Sequence, residues 1–246
     1  MEINIIPKFL DEGVTPIAKE CGERLADIVS LAFTPIIKAK AVRDKKLKLF
    51  LGELDNETKK IPEQNLIEPP LNVVGPALED VGKYYHDQEY LRKRFAKLIA
   101  SSMNKECYVH PSFINIIEQL TSDEAKILNI LPKKGRHEPL IDICVERQDA
   151  DGIFTIYRNC GILGFEAGCD SPEMISFYID NLKRLELVEV PQDSYLIDEW
   201  RYGKIINTDY YNSLIKKAEV EGTPIYKKRM VGLTDYGECL KEICLE

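Results

Sequence analysis

Three histidines, His86, His110 and His137, and seven cysteines, at 21, 107, 144, 160, 169, 239 and 244, are the side chains best suited to hold a metal or attack a substrate. His86-Asp87 has the composition of the ligand pairs in metal-dependent phosphohydrolases, where His and Asp from several segments converge on one or two ions. Such a site needs further His or Asp ligands that converge in space, and histidine is scarce, so the dipeptide reads as a surface pair in a helix–helix turn. Cys107 and His110 have the Cys-x-x-His spacing of half a zinc site, but no second pair of matching separation follows. Cys144, Cys160 and Cys169 lie at irregular intervals, and small apolar core residues are the better reading for them. Ser101-Ser102 have no Gly-x-Ser-x-Gly elbow around them. Gly161, Gly164 and Gly168 lack both the dinucleotide fingerprint and a Gly-Lys-Ser/Thr ending, so they are expected to permit a turn instead of cradling a phosphate. The sequence predicts no catalytic residue, no cofactor and no metal ligand.

Without chemistry to carry a function, charge and exposed aromatic residues decide which partners suit the chain. Its 246 residues hold 33 Lys plus Arg against 41 Asp plus Glu, a net charge of −8, with 44% hydrophobic residues. That composition excludes disorder and a strongly basic nucleic-acid-binding protein. Residues 121–246 hold 16 basic against 23 acidic residues, whereas residues 1–120 are near neutral. A protein partner, a second copy included, is therefore favoured over nucleic acid, with Lys93, Arg94, Lys97 and the single tryptophan, Trp200, as candidate contacts. The alternative, a DNA-binding regulator, would have to work through Lys183, Arg184, Lys227, Lys228 and Arg229, a sparse footprint for binding phosphates. Lys227-Lys228-Arg229 reads more simply as a solvated strand edge that resists pairing. A third reading, a membrane-acting effector, would use residues 17 to 37. No stretch approaches the roughly 20 apolar residues of a spanning helix. The odd, scattered cysteines and the acidic opening Met1-Glu2-Ile3-Asn4 suit a cytosolic chain with reduced thiols.

The elements that must position these residues are punctuated by proline. Pro7, Pro16 and Pro35 suit breaks or first-turn positions. Residues 17 to 33 and 36 to 60 are expected to be helical, and the segment from Ile61-Pro62 to Pro69-Pro70 is a connection. Leu91, Phe95, Leu98, Ile99 and Met103 share one stripe of a helix over 88–105, with Lys93, Lys97 and Asn104 on the other side. A short helix follows on Phe113, Ile116, Ile117 and Leu120. Thr121-Ser122-Asp123-Glu124 then caps a helix running to Leu131. Ser171-Pro172-Glu173 starts a helix of about 14 residues, with Ser171 as cap and Ile175, Tyr178, Ile179, Leu182 and Leu185 on its inner face. A strand at 187–190, a turn, a second strand at Tyr195-Leu196-Ile197, a helix over 209–220, a strand around 225–233 and a helix capped by Thr234 complete the chain. The expected fold is mainly α within an α+β whole. A helical region over 1–119 precedes a winged-helix-like domain with a small antiparallel sheet over 120–246.

The run Tyr90-Leu91-Arg92-Lys93-Arg94-Phe95-Ala96-Lys97-Leu98-Ile99-Ala100-Ser101-Ser102-Met103-Asn104 resembles the hallmark helix of the abortive infection alpha (Abi-alpha) family. The continuation His110-Pro111-Ser112-Phe113, the stretch Gln119-Leu120-Thr121-Ser122-Asp123-Glu124-Ala125-Lys126-Ile127-Leu128 and the closing Leu233-Thr234-Asp235-Tyr236-Gly237 are similar to the same family. The resemblance covers most of the chain, is strongest from about 76 to 131 and is weakest from Ile197 to Thr223. It implies a bacterial cytosolic protein linked to defence against bacteriophage, in which growth of the infected cell or phage development is curtailed. The lack of catalytic clusters beside two amphipathic modules makes a non-enzymatic sensor or effector the expected mode of action. It brings no catalytic residues to carry over.

Overall fold

The structure, a computed structural model, describes residues 16–37, 41–81, 89–147 and 152–245, so His86 and Asp87 lie outside the described residues. The chain forms two compact units, one of residues 1–119 with 243–245 and one of 120–242. Among the described residues no helix is long and apolar enough to cross a membrane.

The first unit is helical: α1 (Pro16–Ile37), α2 (Ala41–Thr58), α3 (Leu71–Asp80), α4 (Glu89–Ser102) and α5 (Phe113–Gln119). Proline 16 opens α1, where its missing N–H costs nothing. The expected break at Pro35 does not occur, since α1 continues to Ile37. So close to the helix end, proline forfeits a single backbone hydrogen bond. The predicted stripe is the core of α4: Leu91, Phe95, Leu98, Ile99 and Met103 are all buried, and α4 packs along α2. Phe33 and Phe50 meet edge to face with ring centroids 6.2 Å apart. The proline-rich connection is tied down by its backbone, with Ile67 N–H donating to Met103 O at 2.9 Å and Lys105 N–H to Asn65 O at 2.9 Å.

The second unit contains α6 (Ser122–Ile130), β1 (His137–Arg147), β2 (Gly152–Cys160), α7 (Leu163–Glu166), a 3₁₀ turn (Pro172–Met174) and α8 (Ile175–Arg184). It continues with β3 (Val188–Glu189), α9 (Glu199–Ile206), α10 (Asp209–Ala218), β4 (Thr223–Leu233) and α11 (Asp235–Leu240). The four strands form one antiparallel sheet in the order β2-β1-β4-β3. The capping box at α6 is complete: Glu124 N–H donates to Thr121 Oγ1 at 3.2 Å, and Thr121 N–H to Glu124 Oε2 at 2.7 Å. One face of β1, with Ile141, Ile143 and Val145, packs under Tyr202 and Ile205 of α9 and Ala218 of α10.

Four expectations need correction here. The β1–β2 hairpin was not anticipated; Leu140 to Val145 is an apolar run broken only by Asp142, and strands buried on both faces lack a clean alternation. Ser171 makes no side-chain cap, and the helix begins as the 3₁₀ turn before α8. The second strand at 195–197 is absent: Ile197 is 91% exposed, and the chain runs on into α9. Lys227-Lys228-Arg229 is not an unpaired edge, because β4 pairs with β1 from Thr223 to Gly232.

Gly237 enters α11 under the start of β3, where a Cβ would collide with the Leu187 carbonyl oxygen. That carbonyl already accepts the Thr234 N–H at 3.2 Å, so it is not free to retreat. Gly237→Ala is expected to destabilise the second unit by about 1–3 kcal/mol, an overpacking cost, read as a lower urea midpoint at unchanged slope.

Candidate functional site

In the first unit the three candidate cations of α4 do not form one exposed basic face. Lys93 is exposed and bonded to Glu89 at 2.6 Å. Arg94 is half-buried, with its guanidinium 5.0 Å from the centre of the Tyr90 ring, and burial lowers its pKa. Lys97 is half-buried as well. Ser101 and Ser102 donate to backbone carbonyls, Ser101 Oγ to Ile243 O at 3.3 Å and Ser102 Oγ to Ile99 O at 2.7 Å. His110 works locally: Ser112 N–H donates to its Nδ1 at 3.2 Å, at the entry to α5. Among the described residues no group of three His, Cys, Asp or Glu side chains could hold a metal ion.

In the second unit the residues of the DNA-binding alternative are dispersed over an acidic surface. Arg184 donates through Nε and Nη2 to Asn181 Oδ1, at 3.0 and 2.7 Å. With Lys183 it lines a groove of about 640 Å³ between α8 and β3, where Asp180, Glu186 and Glu189 supply three carboxylates against the two cations. Lys228 is ion-paired with Glu199, and Arg229 lies 3.4 Å from Asp142 and donates to Gln192 O at 2.6 Å. Two of the three cations in that cluster are thus held by partners of the same chain.

Two features were not foreseen. Asp123, in the first turn of α6, is a buried carboxylate that accepts from the amides of Asp170 (3.0 Å to either oxygen) and Ser171 (3.2 Å), from Tyr178 Oη (2.9 Å) and from Lys126 Nζ (2.9 Å). Burial alone would raise its pKa; the four donors overcome that and bring it to about 2. With every donor supplied from within the fold, this is an anchor for α8 more than a reactive group. The second feature is a shelf before and within α9. Tyr195 is 60% exposed, Ile197 91% and Trp200 64%, three large apolar side chains within six residues. Lys204 Nζ stands 5.3 Å from the Trp200 ring and Lys228 Nζ 5.6 Å from that of Tyr195. The sequence marked Trp200 but gave Tyr195 and Ile197 to a strand; their proximity to Trp200 was the available signal.

The shelf is held rigidly from beneath. Tyr202 is fully buried, accepts the Leu196 N–H at 2.8 Å and donates to Arg229 O at 3.0 Å. Arg201 donates to His137 O at 2.8 Å and Glu138 Oε2 at 2.7 Å. An apolar surface on a braced helix can bind a partner without first paying to be ordered.

A sequence profile described as abortive infection alpha matches residues 42–244, most of the chain. The chain belongs to the abortive infection alpha family. The match takes in α4, the capping box at Thr121 and the whole shelf. No curated protein matches the chain. Among solved structures, an uncharacterized protein from the hydrocarbon-degrading marine bacterium Alcanivorax borkumensis is similar to it at 18% identity, covering 53% of this chain and 90% of that one with a TM-score of 0.38.

Proposed function

We propose that this abortive infection alpha protein is a cytosolic bacterial antiphage factor that works by protein contact, as sensor or effector, without catalytic turnover. Family membership supports the defence role, and the shelf of Tyr195, Ile197 and Trp200 carries the contact reading. Aromatic anchors on a rigid support are the side chains from which binding hot spots are built. The second unit is read as a winged-helix variant in which α6, α7 and α8 form the helical core, β3 and β4 the strands, and α9–α10 stand where a wing would project. In that reading α8 holds the recognition position, yet its exposed cations Lys183 and Arg184 share that surface with Phe177 and Asp180, and with Glu173 in the turn before it, a mixture that suits a protein better than a phosphate backbone.

The test is phage plating on cells that do or do not express the chain. Expression is expected to lower plating efficiency, and Trp200→Glu to forfeit protection by about tenfold or more at equal soluble protein level. Equal plating with wild-type and Trp200→Glu protein would remove the shelf from the mechanism.

A further inference from the structure

We infer that the occupant of this shelf is a second copy of the same chain, docked about a two-fold axis; the inference rests on the contact reading above and names its partner. Tyrosine and tryptophan side chains carry about 150–250 Å² each, so the two rings and Ile197 together expose roughly 450 Å² of mostly apolar surface. A stable interface buries about 800 Å² per partner. The three side chains would supply the centre of such an interface, leaving the remainder to their rim.

Charge selects the partner. The chain carries −8, so two copies repel over most approaches. At the shelf the flanking charges balance, Asp198 and Glu199 against Arg201 and Lys204. Glu199 is paired with Lys228 and Arg201 with Glu138 within one chain. Asp198 and Lys204 are exposed, and neither has an ion-pair partner among the described residues. A two-fold contact is self-complementary, so Lys204 of one copy facing Asp198 of the other creates the reverse contact as well. An apolar centre flanked by one unpaired anion and one unpaired cation is a surface that complements itself.

Sedimentation velocity of the full chain, from low micromolar concentration upward, tests this. Wild type is expected to reach the mass of a dimer. Trp200→Glu should weaken association about 30-fold or more. Asp198→Lys and Lys204→Glu should each weaken it, while the double exchange recovers it, because the reversed charges again face each other across the axis. All three positions, Asp198, Trp200 and Lys204, are exposed, and unchanged circular dichroism melts will show that folding is intact. A wild-type chain that stays monomeric, a dimer that survives Trp200→Glu, or a double exchange that fails to recover association each overturns the inference. The plating assay separates the two readings. Monomeric protein whose protection is lost with Trp200→Glu leaves the contact reading standing with another protein on the shelf. A Trp200-dependent dimer whose loss leaves protection unchanged removes the contact reading and keeps the dimer.

Discussion

Asp123→Ala is expected to cost the second unit about 3–5 kcal/mol and to lower its melting temperature by roughly 10–20 °C. The carboxylate is the common acceptor for two backbone amides, a tyrosine hydroxyl and a lysine. Alanine would leave the buried Tyr178 hydroxyl and the part-buried Asp170 and Ser171 amides without their acceptor; a buried loss of this kind costs about 1–3 kcal/mol, and the amides, nearer to water, add less. Asp123→Asn keeps the shape and one acceptor oxygen, so a smaller loss is expected. The pH response separates charge from shape. The folded pKa of about 2 lies below the ordinary aspartate value of 3.8. The carboxylate's contribution is therefore fully present above about pH 4 and is lost as pH falls through 2. It is worth about 2 kcal/mol over that window. Urea melts between about pH 5 and about pH 2 should show wild-type stability falling more steeply than that of Asp123→Asn. Parallel pH profiles for the two proteins would show that the charge of Asp123 contributes nothing.

The same residue shows what the sequence could and could not display. Thr121-Ser122-Asp123-Glu124 announces a helix start, because a cap is a local event spanning four residues. It does not announce that Asp123 reaches the 170–171 backbone, or that Glu124 Oε1 accepts from Asn181 at 2.7 Å. Those partners lie roughly fifty residues away and are chosen by packing. The α4 stripe was legible for a similar reason: a 3.6-residue period survives wherever one face is buried. The β1–β2 hairpin was hidden because β1 is buried on both sides, from Pro139 to Val145 with only Asp142 partly exposed. Tyr195-Leu196-Ile197 failed in the opposite direction. Its β-propensity is high, but propensity measures fit to a half-buried pleated surface, and no neighbouring strand pairs with it. The apolar side chains that propensity assigned to a sheet are the ones the structure leaves exposed beside Trp200.

Arg92→Ala is the second large effect, confined to the first unit, and a double-mutant cycle with Glu53 gives it a distinctive signature. Arg92 lies on the buried side of α4 and is itself 7% exposed. It donates through Nε to Glu53 Oε2 at 2.8 Å and through Nη2 to Glu53 Oε1 at 2.9 Å. This fork joins α4 to α2 with both carboxylate oxygens engaged. Removing the guanidinium strands a largely buried carboxylate, which costs about 3–5 kcal/mol in such pairs. Glu53 is about a fifth exposed on its side chain, so water can reach it and the lower end of that range is expected. Glu53→Ala leaves the more deeply buried Arg92 unpaired and should be at least as damaging. Replacing both residues with leucine removes the charge and its desolvation together, and the double variant should be more stable than either single one. Thermal melts of the wild type, the two alanine variants, the double alanine variant that closes the cycle and the double leucine variant decide the matter. If the two alanine variants lose little and the effects simply add, the pair is a surface-like contact whose energy water already screens, and α2 and α4 are held together by their buried apolar side chains, Phe50, Leu54, Leu91 and Phe95 among them.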